Sequence, residues 1–311
     1  MGSSMDLDRL RIFQVVCEEG SVSRAARRLF RSQPAVSMQL ATLEAEVGTQ
    51  LLTRHSRGVS PTTSGQRLLF CAAELFRAHD RLREAWAGEE AGGNLRIAAS
   101  DTIAKHFLPP ILRRLARGRP RISLHLVQSA TPESQNRLHR GEVEVAFLLR
   151  PVADPRLAVE TVLCYRHVAT VRRVDRGRRP PLDPANLARG PLVLLARGTQ
   201  TRHLMDEAFH ARGIVPECVL EASSVSLQKE MVRCGLGTGI IPDYAVRAGD
   251  HLRAHPVAGA SVREIAMAWR ADLPLSRIAE AFLTLTRVEA AARRPAVQPA
   301  GPPAPRQTTS T

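Results

Sequence analysis

The stretch from residue 20 to residue 54 reads GSVSRAARRLFRSQPAVSMQLATLEAEVGTQLLTR and decides the fold of the amino-terminal part. Its first half has the pattern of a short helix. Ser21 is a suitable N-cap, and Ala25, Ala26 and Leu29 follow at the spacing of one apolar helix face. The pattern therefore predicts a helix that begins beside Ser21 and buries one narrow face.

The second half predicts another helix after a polar break at residues 31–33. Pro34 suits its first turn, where the missing N–H costs no hydrogen bond. Val36, Leu40 and Leu43 form an apolar stripe at i, i+4 and i+7 spacing. The side chains left facing outward at the amino end are Gln33, Ala35, Ser37, Met38 and Gln39. In a helix-turn-helix this end of the second helix meets base edges, so the pattern predicts DNA recognition.

A wing is predicted directly after these helices. Residues 51–55 and 59–60 read as two short strands around the turn at residues 56–58. Arg54 and Arg57 lie where a wing can reach a phosphate or the minor groove. The alternative is that both are solvated arginines on a surface hairpin.

A long helix is predicted from residues 61–63 to about residue 90. Six of its positions follow the spacing of a coiled-coil seam, with one polar interruption. The seam consists of Leu68, Ala72, Leu75, His79, Leu82 and Trp86. A seam on a helix flanked by two domains favours pairing with a second copy, and hence a dimer. The alternative is a helix that packs on its own domain.

After a predicted hinge at residues 91–93, strands alternate with helices. The first block has predicted strands at residues 94–99, 122–127 and 143–148 and helices at 102–117 and 132–140. A break at residues 172–191 leads to a second block, with strands at 192–196, 217–222 and 238–241 and helices at 201–212 and 226–234. The pattern closes with a strand at 264–270 and a helix at 276–291. Two such blocks predict two α/β lobes, each with a mostly parallel sheet.

At the residues quoted above, the chain resembles the LysR-type transcriptional regulators. The matching positions are Ser23, Ala26, Leu29, residues 32–37, Leu43, Glu44, Gly48, Leu51, Leu52, Arg54, Gly58, Val59, Pro61, Thr62 and Gly65. The resemblance extends from residue 5 to about residue 291. Met38 stands where many members have a longer polar or basic residue, so we expect apolar readout there, such as contact with a thymine methyl.

The resemblance implies a winged helix-turn-helix DNA-binding domain at residues 5–62 and a linker and dimerisation helix at residues 63–91. A two-lobe α/β effector domain, of the kind found in periplasmic solute-binding proteins, follows at residues 92–291. Its first lobe spans about 94–167 and 262–291, and its second lobe about 168–261. Residues 292–311, rich in proline, alanine and threonine, are expected to form a disordered tail.

The implied function is that of a bacterial, cytoplasmic, sequence-specific DNA-binding transcription regulator, modulated by a small-molecule effector bound between the lobes. Expected partners are double-stranded DNA, the effector and further copies of the chain as a dimer or tetramer, with RNA polymerase as a further partner. We assign DNA binding to Ser23, Arg31, Ser32, Gln33, Pro34, Ala35, Ser37, Met38, Gln39, Arg54 and Arg57. The alternative is an α/β solute-binding or enzymatic protein whose helical N-terminal appendage does not bind DNA.

An effector site is predicted from a rule of open α/β sheets. Ligands bind beyond the carboxyl ends of strands, near helix N-termini. The expected effector residues are Ser100, Asp101, Thr102, Gln128, Thr131, Thr201 and Arg202. Hydroxyl and free backbone N–H groups at helix starts suit an anion, although the Asp101 carboxylate opposes one. Ser100, Thr102 and Thr201 can equally serve as helix caps, a role compatible with ligand contact.

The composition is consistent with a nucleic-acid partner but does not by itself establish one. The formal net charge is +14, which favours a polyanion. Nearly all basic residues are arginine, the lysines being Lys105 and Lys229. A genome composition that favours arginine codons would give the same bias. The motif therefore carries the DNA-binding inference.

Enzyme, metal and membrane functions find little support in the sequence. The 5 cysteines are scattered without a Cys-x-x-Cys pair, and no P-loop or Gly-x-Ser-x-Gly motif occurs. His203 with His210, and His251 with His255, lack the spacing or third ligand of a zinc site. No signal-peptide pattern or membrane-length apolar run is present. We expect no catalysis, metal, cofactor or membrane partner, and a cytoplasmic location.

Overall fold

The structure, a computed structural model, describes residues 6–56, 58–86, 93–173 and 183–293. Three predicted features lie outside the described residues. They are the wing residue Arg57, the hinge with the end of the long helix at residues 87–92, and the tail from residue 294 onward.

The chain divides into two compact units. Met1–Glu160 and Ala266–Leu283 form the first unit, and Thr161–Ile265 and Thr284–Thr311 form the second. No helix in the described ranges is long and apolar enough to cross a membrane.

The structure opens with three helices, of which the second and third are those predicted from residues 20–54. They are α1 (Leu7–Glu19), α2 (Val22–Arg28) and α3 (Gln33–Val47). Each begins at a side-chain oxygen that accepts a backbone N–H of the first turn. The capping residues are Asp6, Ser21 and Ser32. Because Pro34 lies in the first turn of α3, its missing N–H leaves no helical hydrogen bond unmade.

The predicted wing follows α3. Strands β1 (Leu52–His55) and β2 (Gly58–Pro61) pair antiparallel, and helix α4 (Thr63–Trp86) comes next. The Val59 N–H donates to the Gly20 carbonyl at 3.0 Å, which joins the wing to the end of α1. A Cβ at Gly65 would lie 2.1 Å from the Leu51 carbonyl oxygen, so the start of α4 can approach this closely only with glycine.

A single apolar core holds these helices together. Val36, Leu40 and Leu43 of α3 are buried in it, as the sequence predicts. Ala72 of α4 belongs to the same core, and Leu68 of α4 packs against it. The first half of α4 is therefore part of the N-terminal helical domain.

The remaining elements alternate between strand and helix. In chain order they are β3 (Asn94–Ala99), α5 (Asp101–His106), α6 (Leu108–Gly118), β4 (Ser123–Gln128), α7 (Thr131–His139), β5 (Val145–Leu149), β6 (Leu157–Tyr165), β7 (His167–Arg172), α8 (Pro184–Leu187), β8 (Leu192–Leu195), α9 (Gln200–His210), β9 (Cys218–Ala222), α10 (Val225–Arg233), β10 (Thr238–Pro242), β11 (Leu252–Pro256), β12 (Arg263–Arg270) and α11 (Arg277–Arg293).

The first lobe contains a five-stranded sheet in the order β4-β3-β5-β12-β6. β3 pairs parallel with both β4 and β5. The single helix predicted at residues 102–117 is wrong, because the structure breaks it at Phe107 into α5 and α6. Pro109 and Pro110 explain the break: proline is tolerated in the first turn of a new helix but disrupts a helix interior.

The second lobe has a mixed sheet, in the order β11-β7-β10-β8-β9. β8 pairs parallel with β9 and β10, whereas β7 pairs antiparallel with β10 and β11. The prediction of a mostly parallel sheet is therefore wrong for this lobe. The sequence interpretation assigned no structure to residues 149–171, and so missed β7, the strand that reverses direction.

Within the first unit, ion pairs join α1, α2 and α4 to the first lobe. One Glu18 oxygen accepts from Arg96 of β3 at 2.9 Å, and the other lies 2.9 Å from Arg28 of α2. Burial acts to raise the pKa of Glu18, but Arg96 and Arg28 outweigh it and hold that pKa below its ordinary value. On α4, Glu74 pairs with Arg270 of β12 at 3.2 Å. The lowered pKa keeps Glu18 ionised at pH 7, and the ion pairs hold α1, α2 and α4 against the first lobe.

Candidate nucleic-acid interface and effector site

The amino end of α3 presents polar side chains to solvent. Gln33 and Pro34 are exposed, and the Met38 side chain is 62% exposed. Ser32 accepts the Ala35 N–H, so it positions the helix end. Ala35 and Ser37 are half-buried.

A hydrogen bond between helices orients Gln33. Ser23 Oγ of α2 donates to Gln33 Oε1 at 3.0 Å. Because the amide oxygen already accepts this bond, the amide nitrogen of Gln33 remains as a donor for an outside acceptor. Acceptors of this kind line the major groove, at purine N7, guanine O6 and thymine O4. The pair of side chains can therefore read a base edge.

Gln39 does not face outward as predicted. It is half-buried, and its Oε1 accepts from Arg9 Nε of α1 at 3.1 Å. Arg9 also pairs with Glu46, so the residue is part of the contact between α1 and α3. Gln39 therefore joins the two helices in this structure.

Basic side chains flank the end of α3. Arg31 is exposed and lies 2.9 Å from Asp8, a surface pair that a phosphate can replace at small cost. Arg54 of β1 is exposed on the wing, as predicted. Between α2 and α3 the structure also exposes Phe30, a residue to which the sequence interpretation gave no role.

The predicted seam on α4 divides into two parts. Ala72 is buried in the core of its own domain and Leu68 packs against that core, which favours the alternative of packing within the domain for these two positions. Leu75 and Leu82 are 44% and 54% exposed, and His79 between them is half-buried. The side chain of Trp86 lies outside the described residues. The exposed leucines are therefore the part of the seam that remains available.

In the first lobe, the predicted effector residues lie at the carboxyl ends of β3, β4 and β5. Ser100 caps α5 by accepting the Ile103 N–H, and Thr102 lies in the first turn of α5. Gln128 is exposed at the end of β4, in register with Ala99 at the end of β3. Thr131 Oγ1 accepts the Leu149 N–H at 3.0 Å, which ties the start of α7 to the end of β5.

Asp101 has an ionic partner in the same segment. Its Oδ1 lies 2.9 Å from Lys105 Nζ, one helical turn further along α5. This pair reduces the negative charge with which Asp101 would oppose an anion.

In the second lobe, Thr199 rather than Thr201 caps α9. Thr201 Oγ1 lies 3.3 Å from Nε2 of His167, at the start of β7. Tyr165 packs edge-on against both His167 and Tyr244. The sequence interpretation missed His167, because only the fold brings β7 beside the start of α9.

Burial and charge set the protonation state of this cluster. Burial, and then the charge of Arg263, lower the pKa of His167 to about 4. Burial raises the pKa of Tyr165 to about 12. Both side chains are therefore neutral at pH 7 and offer hydrogen bonds without a charge.

The guanidinium of Arg202 is hydrogen-bonded within the protein. Arg202 is 5% exposed, and its guanidinium donates to Asp206, to Glu221 and to the Leu195 carbonyl at 2.8 to 3.0 Å. The bonds to Leu195 and Glu221 fix α9 to β8 and β9, whereas Asp206 lies on α9 itself. The position of Arg202 therefore does not support the expectation that it contacts the effector, and its role in this structure is to join elements of the second lobe.

Two family models match most of the chain. Residues 7–66 match the model described as "Bacterial regulatory helix-turn-helix protein, lysR family". Residues 88–291 match the model described as "LysR substrate binding domain". The alternative of a solute-binding or enzymatic protein with an appendage that does not bind DNA is not favoured by these matches.

Curated relatives agree with this result. "HTH-type transcriptional regulator CysB" of Haemophilus influenzae is 31% identical over 253 residues, which cover 79% of this chain and 78% of the relative. "HTH-type transcriptional regulator DgdR" of Burkholderia cepacia is 30% identical over 251 residues, which cover 80% of this chain and 81% of the relative.

Solved structures share the fold. A full-length OxyR variant from Pseudomonas aeruginosa is 25% identical, with a TM-score of 0.68 over 92% of this chain and 96% of that one. Full-length CbnR in complex with its target DNA is 24% identical, with a TM-score of 0.62 over 92% of this chain and 100% of that one. The chain therefore belongs to the LysR family and is a DNA-binding transcription regulator with an N-terminal helix-turn-helix and a two-lobed α/β effector-binding domain.

Proposed function

We propose that the exposed amino end of α3 reads base edges in the major groove, while the wing contacts the DNA backbone or minor groove. The observation that carries this proposal is the hydrogen bond from Ser23 to Gln33, which leaves an exposed amide donor at the tip of α3. Ser32 and Ala35 position the helix end, and Met38 offers an apolar contact. Arg31 and Arg54 supply positive charge for phosphates.

We further propose that the protein acts as a homodimer or homotetramer. Leu75 and Leu82 are large apolar side chains that α4 leaves exposed one seam repeat apart, which supports pairing with a second α4. We propose RNA polymerase as a further partner and the cytoplasm as the location, because a promoter-bound regulator acts where the chromosome and the polymerase are.

We also propose that the effector is a small anion. The first-lobe residues Ser100, Thr102, Gln128 and Thr131 support this, since strand ends and the first turns of helices supply hydroxyl and N–H donors. In the second lobe, Thr201 and the neutral His167 supply further hydrogen bonds. Arg202 is left out of the proposed site because its side chain is buried and its Nε and Nη1 already donate within the protein.

Gln33→Ala should lower affinity for the specific DNA site by ~1–3 kcal/mol and leave non-specific binding unchanged, because it removes a base contact. Arg54→Ala should instead weaken binding to all sequences and flatten the salt dependence. Fluorescence anisotropy with a duplex from the chain's own upstream region, and with a scrambled duplex, measures both effects. Equal specificity in Gln33→Ala and the wild type would contradict the proposed orientation of α3.

Leu75→Glu or Leu82→Glu should dissociate the oligomer and abolish specific DNA binding, because a charge would be buried in the helix pair. Light scattering measures the change in mass. Val215→Glu is a matched control, since Val215 is 94% exposed and lies far along the chain from α4. An unchanged mass for Leu75→Glu would show that α4 does not carry the dimer contact.

Thr102→Ala and Thr201→Ala should abolish the response to effector while preserving DNA binding without effector. A thermal-shift screen of small organic and inorganic anions identifies the ligand, because binding raises the midpoint of unfolding by mass action. DNase footprints with and without that ligand then compare the variants with the wild type. Wild-type responses in both variants would place the effector elsewhere.

The second lobe should lose stability as the pH falls from about 6.5, the ordinary pKa of histidine, to about 4, the lowered pKa of His167. In this window the unfolded chain binds a proton that the folded chain does not, so stability rises with pH, by roughly 3 kcal/mol at most. His167→Gln removes the titrating group and should flatten this part of the profile. His203→Gln, at an exposed position, serves as the control. Urea unfolding at each pH measures the effect, and equal slopes in all three proteins would contradict it.

A further inference from the structure

Phe30 occupies an unfavourable position for a phenylalanine. It lies between α2 and α3, and its side chain is 96% exposed. Its φ is 54°, a left-handed conformation that among the described residues other than glycine occurs only here and at His251. Both the exposed ring and the left-handed backbone disfavour phenylalanine in the free protein.

The backbone at this position is set by the way α2 ends. The Phe30 N–H donates to the Arg27 carbonyl at 3.2 Å, and the Arg31 N–H donates to the Ala26 carbonyl at 2.9 Å. This pair of bonds is the Schellman ending of a helix, which glycine or asparagine normally occupies at the left-handed residue. An asparagine here would satisfy the same backbone and expose no ring. The folding of this turn therefore does not require the phenylalanine.

The surroundings of the ring indicate its partner. Arg27 precedes it on α2, and Arg31 follows it; both are exposed. Ser32, the cap of α3, and Gln33, the proposed base-reading residue, come next along the chain. Phe30 is therefore an exposed residue of the segment that leads into the proposed DNA-binding surface, and its neighbours in the chain carry positive charges that attract phosphates.

We propose that Phe30 is a DNA-contacting residue, whose ring packs against a deoxyribose or a thymine methyl of the bound site. Arg27 and Arg31 neutralise the neighbouring phosphates and bring the apolar parts of the nucleotide within reach of the ring. Contact with DNA removes the ring from water, which offsets the disfavoured exposure in the free protein. The inference rests on the proposed DNA-binding role of α3.

Phe30→Asn tests the proposal, because asparagine tolerates the left-handed backbone. Its melting temperature should equal or exceed that of the wild type, while its affinity for a duplex from the chain's own upstream region should fall about ten-fold. The slope of log affinity against log salt should stay unchanged, since no charge is removed. Phe30→Leu, which keeps an apolar side chain, should recover part of the affinity.

Arg31→Ala is the matched control from the next residue, and it should weaken binding with a flatter salt dependence. Wild-type affinity in Phe30→Asn would overturn the proposal. A change in mass for Phe30→Asn by light scattering would also overturn it, by showing that the ring contacts a second copy of the chain. If Gln33→Ala loses specificity and Phe30→Asn keeps the wild-type affinity, this inference fails alone. If neither variant differs from the wild type, the proposed role of α3 fails with it.

Discussion

Burial of Val36, Leu40 and Leu43 along one face of α3 is the constraint from which the DNA-binding surface follows. These side chains fix the rotation of α3 against α1 and α2, so the opposite face must meet solvent. The Ser32 cap fixes where the helix begins, and Ser23 fixes which atom of Gln33 points outward. A packing constraint in the core thereby sets the chemistry at the surface.

The same packing determines what α4 can do. A 4-3 apolar repeat indicates that one face of a helix is covered, but it does not say by what. In the structure Ala72 is covered by the domain's own core, while Leu75 and Leu82 remain exposed. The first half of α4 thus packs within the DNA-binding domain, and its second half is available for the proposed contact with a second copy. Glu74, on the same helix, binds Arg270 of the first lobe.

Local signals in the sequence were sufficient for the helix-turn-helix and for most strands and helices of the lobes. Ser21, Pro34 and the apolar stripe of α3 act within a few residues, so short-range rules predict their structure. The missed features depend on residues far apart in the chain. Gln39 is held by Arg9, and the antiparallel direction of β7 is set by its pairing with β10 and β11. The break at Phe107 was predictable from the prolines that follow it.

The same difference between local and long-range signals applies to the predicted effector residues. Strand ends and helix starts located the first-lobe residues correctly on the sheet, because that placement follows from strand order. Sequence alone could not show that Arg202 is held by Glu221 and Asp206, or that His167 lies beside Thr201. A side chain binds a ligand only through donors or acceptors that the protein does not already use, and a hydroxyl that accepts one hydrogen bond can still donate another.

The central claim is that the amino end of α3, with the wing, forms the DNA-binding surface. Hydrogen–deuterium exchange of the free and DNA-bound protein tests this claim most directly, since bound DNA slows exchange where it covers or stiffens the backbone. Protection is predicted at residues 30–39 and 52–61, with little change in β8 to β10 of the second lobe. Protection confined to the effector domain, with unchanged exchange at residues 30–39, would contradict the account.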